Sequence, residues 1–247
     1  MRITGVRSDG HHLIDAEMVS LDLADELTFS EGHGLEIMQE SAGGAGAAVP
    51  AVDPGSGDAP ADGATTPDVP AGDDNLISRA LRAVGREAHV RVVKRIPVGG
   101  GLGGGSSDAA AVLRWAGCDD LAVATSLGAD VPFCLRGGRA QVTGIGEVVD
   151  PLPFEPRTFT LLTPAFGCST AAVYRAWDDL GGPRAAGPND LEPAALVVAP
   201  GLARWRDVLG DATGRSPVLA GSGSTWFIEG SFPGDGRTVV RTVPAYG

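Results

Sequence analysis

Arg95-Ile-Pro-Val-Gly-Gly-Gly-Leu-Gly-Gly-Gly-Ser-Ser-Asp-Ala-Ala-Ala-Val-Leu113 is the stretch on which the fold turns. Its six glycines and two serines lie between an alternating run (Val90, Val92, Lys94, Ile96) and an alanine-rich helical pattern over Ala109 to Ala116. The order reads as strand, glycine loop and helix N-terminus. Glycine permits positive φ and lets the backbone come close to a ligand. Free N–H groups at the helix start, with the positive end of its dipole, favour an anion such as phosphate. Ser106 or Ser107 can cap the helix or offer a hydroxyl to a phosphate or its metal ion.

Three other readings of the loop fit its residues less well. A flexible linker rarely runs straight into a well-formed helix start. Gly99, Gly101 and Gly104 fit G-x-G-x-x-G, but nothing before them resembles the N-terminal βαβ unit of a dinucleotide site. A Walker loop fails because no Gly-Lys-Ser/Thr follows.

Composition sets outer limits. The 247 residues suffice for one large domain or two joined lobes, and 43% hydrophobic residues suffice for a core. No run approaches the ~18 apolar residues of a membrane span, and no basic-then-apolar leader opens the sequence. Three scattered cysteines show no metal spacing and fit a reducing cytoplasm. The formal charge of −12 argues against nucleic acid or an anionic membrane as partner. A phosphate-rich ligand must then be held by local features.

Working outward from the loop, Asp73-Asp74-Asn75-Leu76 caps a helix with Leu76, Ala80, Leu81 and Val84 on one face. After the loop, Leu127-Gly-Ala-Asp-Val-Pro-Phe133 sets Asp130 in an apolar run, where a carboxylate must be paired or hydrogen-bonded to stay ionised. Pro151, Pro153 and Pro156 mark a lobe boundary, giving units 1–152 and 153–247. Ser169 or Thr170 caps a helix carrying Val173, Tyr174 and Trp177. Asn189-Asp190-Leu191-Glu192 has no role that spacing supplies, and Ala220 to Ile228 is a glycine turn entering a strand. Ser41 to Gly72 lacks aromatic and basic residues and is expected to be a disordered, dispensable acidic insert.

Pro97-x-x-x-Gly-Leu-Gly-Gly-Gly-Ser-Ser resembles the phosphate loop of the GHMP small-molecule kinases. Within them the fuller run through Asp108-Ala-Ala-Ala is similar to the branch acting on 4-diphosphocytidyl-2-C-methyl-D-erythritol in the non-mevalonate isoprenoid pathway. The resemblance implies an α+β fold of two lobes. The first is ribosomal protein S5 domain 2-like, the second α/β, with the active site in the cleft between them. It implies ATP over Gly99, Gly100, Gly101, Gly103, Gly104, Gly105, Ser106 and Ser107, with Mg²⁺ on the phosphates. Asn75 and Lys94 match residues near the adenine, and Asp130 matches the aspartate facing the acceptor hydroxyl.

Arg7-x-Asp9-Gly10-x-His12 matches the box that binds the cytidine end of the substrate, with His11 where the family has a stacking tyrosine. Tyr174 falls where an aromatic ring closes the other face of cytosine, and Thr170 lies beside it. The glycine turn at 220–228 looks like the third family motif, which packs against the phosphate loop. The family's Lys-x-Asn segment ahead of Ile3-Thr-Gly is missing from these residues. Its lysine partners the aspartate, so ATP binding with slow turnover is expected. A GHMP kinase for another small alcohol, or a nucleotide-binding homologue with little turnover, stays open. A cytoplasmic monomer or weak homodimer is expected.

Overall fold

The structure, a computed structural model, describes residues 1–39, 64–65 and 72–246. Its first part runs β1 (Arg2–Val6), β2 (His12–Val19), β3 (Glu26–Ser30), β4 (Gly34–Gln39), β5 (Ala64–Thr65), α1 (Leu76–Ala83), β6 (His89–Lys94) and α2 (Gly104–Trp115). There follow α3 (Leu121–Leu127), α4 (Val131–Arg136), β7 (Arg139–Gly144) and β8 (Val148–Pro151). The remainder is β9 (Thr158–Leu162), β10 (Gly167–Cys168), α5 (Thr170–Asp179), α6 (Glu192–Val198), α7 (Leu202–Thr213), β11 (Val218–Leu219), β12 (Trp226–Glu229) and β13 (Arg237–Arg241).

Among the described residues there are three main sheets. An antiparallel sheet has the order β1-β2-β7-β8, and a second has β3-β6-β4 with β4 parallel to β6. The third, also antiparallel, is β11-β12-β9-β13. Alternation along β6 buries Val90, Val92 and Lys94 on one face and leaves Arg91 outside. This face packs on α1 and α2, where Ile77, Ala80, Ala109, Ala110, Val112 and Leu113 close the first core. The alanines of α2 let α1 and α4 approach it from two sides. A second core joins Leu162, Val173, Trp177, Leu191, Leu202, Leu209, Leu219 and Trp226. No helix among the described residues is long and apolar enough to cross a membrane.

The chain ends cross between the two cores. Ile3 packs into the second core, and Asp190 receives hydrogen bonds from the Ile3 amide at 3.0 Å and Arg2 Nη1 at 2.8 Å. In return, the chain beyond β13 crosses back to bridge Leu21 and Gly137. The expected disordered insert falls mostly outside the described residues. Within it, however, Ala64–Thr65 forms a strand against Gly167–Cys168, so these two residues correct that expectation.

Candidate active site

Three left-handed glycines shape the loop, with φ of +69° at Gly99, +73° at Gly101 and +69° at Gly103. Gly101 has no room for a side chain. A Cβ there would lie 2.3 Å from the Ala220 carbonyl oxygen. The loop is seated on the second half of the chain by backbone bonds from Thr225 N to Gly100 O (3.1 Å) and Cys168 N to Gly99 O (3.4 Å). Asn189 in turn fixes the 220–223 turn, its amide donating to the carbonyls of Leu219 (2.9 Å) and Gly221 (2.7 Å).

Neither Ser106 nor Ser107 caps α2, which corrects the expectation. The left-handed turn at Gly103 starts the helix at Gly104, so both serines fall inside its first turn and the cap is a bare backbone. Their hydroxyls have no hydrogen bond among the described residues. The first N–H groups of α2 point out of the helix start without a side-chain acceptor. The cap of α5 is Ser169, which accepts from Ala172 N. Thr170 is instead paired through its hydroxyl with Ser222 at 2.9 Å. At the neighbouring helix, the buried Asn75 caps α1 by accepting from Ile77 N at 2.8 Å. Leu76 reaches within 3.6 Å of where a Gly105 Cβ would stand, which brings the start of α1 to the start of α2.

Lys94 is the only lysine in the sequence, and it lies under the loop. Its ammonium bonds Asp108 Oδ2 at 2.7 Å and Asp25 Oδ2, and all three side chains are almost wholly covered. Asp25 Oδ1 accepts from the Arg95 and Ile96 amides at 2.6 and 2.8 Å, fixing the chain as it enters Pro97. Sequence reasoning missed Asp25. The available signal was that a buried lysine must meet carboxylates. Burial, only partly offset by Lys94, pushes the Asp108 carboxyl up to about 7. Its Oδ1 is buried without a partner.

Asp130 stands immediately before α4 and makes no capping bond. Its carboxylate has no hydrogen bond or ion pair among the described residues. It opens to solvent yet is surrounded by protein on most sides, and that loss of bulk water raises its pKa. Cys134, one turn on, has its Sγ 4.0 Å from where a Gly103 Cβ would lie. Burial and then the Asp130 charge push the Cys134 thiol up to about 12, and the same two causes take the Tyr174 hydroxyl to about 12. Asp130 is therefore close enough to both Cys134 and Tyr174 for its charge to be felt at each.

Tyr174 is part of an aromatic cluster with His12, the ring centroids 4.6 Å apart, and Trp177 meets the same imidazole edge-on at 5.5 Å. Adjacent residues at a strand start point opposite ways, and His11 accordingly lies outside this cluster. It is exposed at the turn, with Nδ1 3.1 Å from Asp9. Arg7 holds that turn through a fork on Asp9.

The arrangement combines an anion seat, an unpartnered carboxylate and an aromatic pocket, which suits phosphoryl transfer to an alcohol. Among known proteins, the GHMP kinases N terminal domain family matches residues 75–138. The 4-diphosphocytidyl-2-C-methyl-D-erythritol kinase of Paracoccus denitrificans is 35% identical, over 92% of this chain and 81% of its own length. That of Pelotomaculum thermopropionicum is 36% identical, over 91% and 83%. A crystal structure of 4-(cytidine 5'-diphospho)-2C-methyl-D-erythritol kinase superposes with a TM-score of 0.67 at 28% identity, covering 100% of this chain and 95% of that one. With relatives of this identity matched over most of their length, and with the GHMP loop built as described, the chain belongs to the 4-diphosphocytidyl-2-C-methyl-D-erythritol kinase family of GHMP kinases.

Proposed function

We propose that this chain transfers the γ-phosphoryl group of ATP to the 2-hydroxyl of 4-diphosphocytidyl-2-C-methyl-D-erythritol. The observation that carries the reading is Asp130, an unpartnered carboxylate at the head of a helix that reaches the glycine loop through Cys134, with its charge felt at Tyr174 in the ring cluster with His12. The ATP phosphates rest on the first N–H groups of α2 and on the loop backbone from Gly99 to Gly105. Ser106 and Ser107 offer hard oxygen donors of the kind Mg²⁺ accepts beside phosphate oxygens, and the ion would there neutralise developing charge. Asn75 stands at the adenine end. Lys94 acts from beneath the loop, positioning it through Asp25 and Asp108.

Asp130 accepts the hydrogen of the acceptor hydroxyl and aims its oxygen at phosphorus. A carboxylate raised above its ordinary range is a better base for that task at neutral pH. His12, Tyr174 and Thr170 hold the cytidine end, with His11 at its solvent edge. The test is incubation with ATP, Mg²⁺ and the cytidine substrate, read by mass spectrometry. One added phosphoryl group on the substrate, with stoichiometric ADP, is expected. ATP binding without transfer to this alcohol would contradict the reading.

A further inference from the structure

Tyr174 and Asp178 lie one turn apart on α5, so both face His12. The tyrosine ring packs on the imidazole, and Asp178 Oδ1 is 2.8 Å from its Nε2. A carboxylate can only accept, so Nε2 carries a hydrogen. The other ring nitrogen, Nδ1, has no hydrogen-bond partner among the described residues and is not sealed from solvent. In the neutral imidazole that nitrogen is an acceptor.

We propose that Asp178 is a positioning residue for base specificity. By holding the His12 hydrogen on Nε2, it makes Nδ1 an acceptor that favours a base edge bearing an amino donor, as in cytosine, over one bearing a carbonyl, as in uracil. The proposal rests on the reading that the nucleoside end of the substrate binds at His12. Uracil would set two acceptors against each other, leaving both without a partner. Nothing in the residue types alone specifies this choice. Without Asp178, the ring could carry its hydrogen on either nitrogen and serve either base.

The test compares kcat/KM for the cytidine substrate and its uridine counterpart at pH 8, in the wild-type chain and in Asp178→Asn. The half-exposed Asp178 side chain makes this variant a mild one for folding. Its amide can accept from Nε2 or donate to it, so it satisfies either tautomer. The wild-type preference for cytidine, on the order of tenfold or more, should fall toward unity in the variant. KM for ATP should stay unchanged. An unaltered preference would overturn the proposal. Independently of any variant, ¹⁵N NMR of the wild-type imidazole should show the hydrogen on Nε2, and finding it on Nδ1 would also overturn it. A wild-type chain inactive on both substrates would overturn the kinase reading, and the proposal with it.

Discussion

The side-chain amide of Asn189 stands 2.7 Å from the carbonyl oxygen of Gly221, and through that turn it supports the glycine loop at Gly101. Asn189 Oδ1 meanwhile accepts from Leu191 N, so the whole side chain is engaged in the interior. Replacing it by alanine leaves two carbonyls and one amide short of a partner. Asn189→Ala should lower stability by about 2 kcal/mol. It should also raise KM for ATP several-fold while moving KM for the cytidine substrate much less. Steady-state kinetics with each substrate varied in turn, beside a thermal melt, checks this. An equal rise in both values would mean that the turn does not act through the loop.

Gly101 gives a steric version of the same test. Its φ of +73° costs an L-residue about 1–2 kcal/mol. A Cβ there also meets the Ala220 carbonyl at 2.3 Å, so the loop and turn must part. Gly101→Ala should weaken ATP binding by about tenfold or more, with the far-UV spectrum retained. Titration calorimetry with a non-hydrolysable ATP analogue reads the outcome. Undiminished affinity would show that the loop is not the phosphate seat.

Asp108 predicts a pH dependence. Its folded-state pKa, pushed up to about 7, lies above the ordinary carboxylate value near 4. A raised carboxyl contributes stability that is fully present below its unfolded pKa and lost as pH rises through the folded one. Asp108→Asn removes that titration while keeping an acceptor for Lys94. The stability difference between variant and wild type should therefore shift in favour of the variant from pH 5 to pH 7. The slope should be up to about 1 kcal/mol per pH unit. Denaturant unfolding at several pH values measures it, and a pH-independent difference would remove Asp108 as the titrating group.

These side chains also show what the sequence could disclose. The loop was legible because glycine and a helix start are local features, and the buried alternation of β6 was legible for the same reason. Asn189 and Asp190 take their roles from distant partners, 30 to 188 residues away in sequence, which spacing does not reveal. Asp25 was missed for that reason too, since it meets the chain 69 to 71 residues on. The serine cap was misplaced because the helix start depends on the left-handed turn at Gly103 rather than on a capping side chain. Of the paired histidines, strand alternation allowed only one into the pocket, but which one depended on where β2 began.

The most direct test of the account is Asp130→Asn. Asparagine keeps the size of the side chain and removes its ability to take a proton, and among the described residues the Asp130 side chain holds no partner whose loss would disturb the fold. The variant should bind ATP as the wild type does, melt at the same temperature or somewhat higher, and lose kcat by about 10²-fold or more on the cytidine substrate. A kcat close to the wild-type value, with the fold and ATP binding intact, would contradict the account.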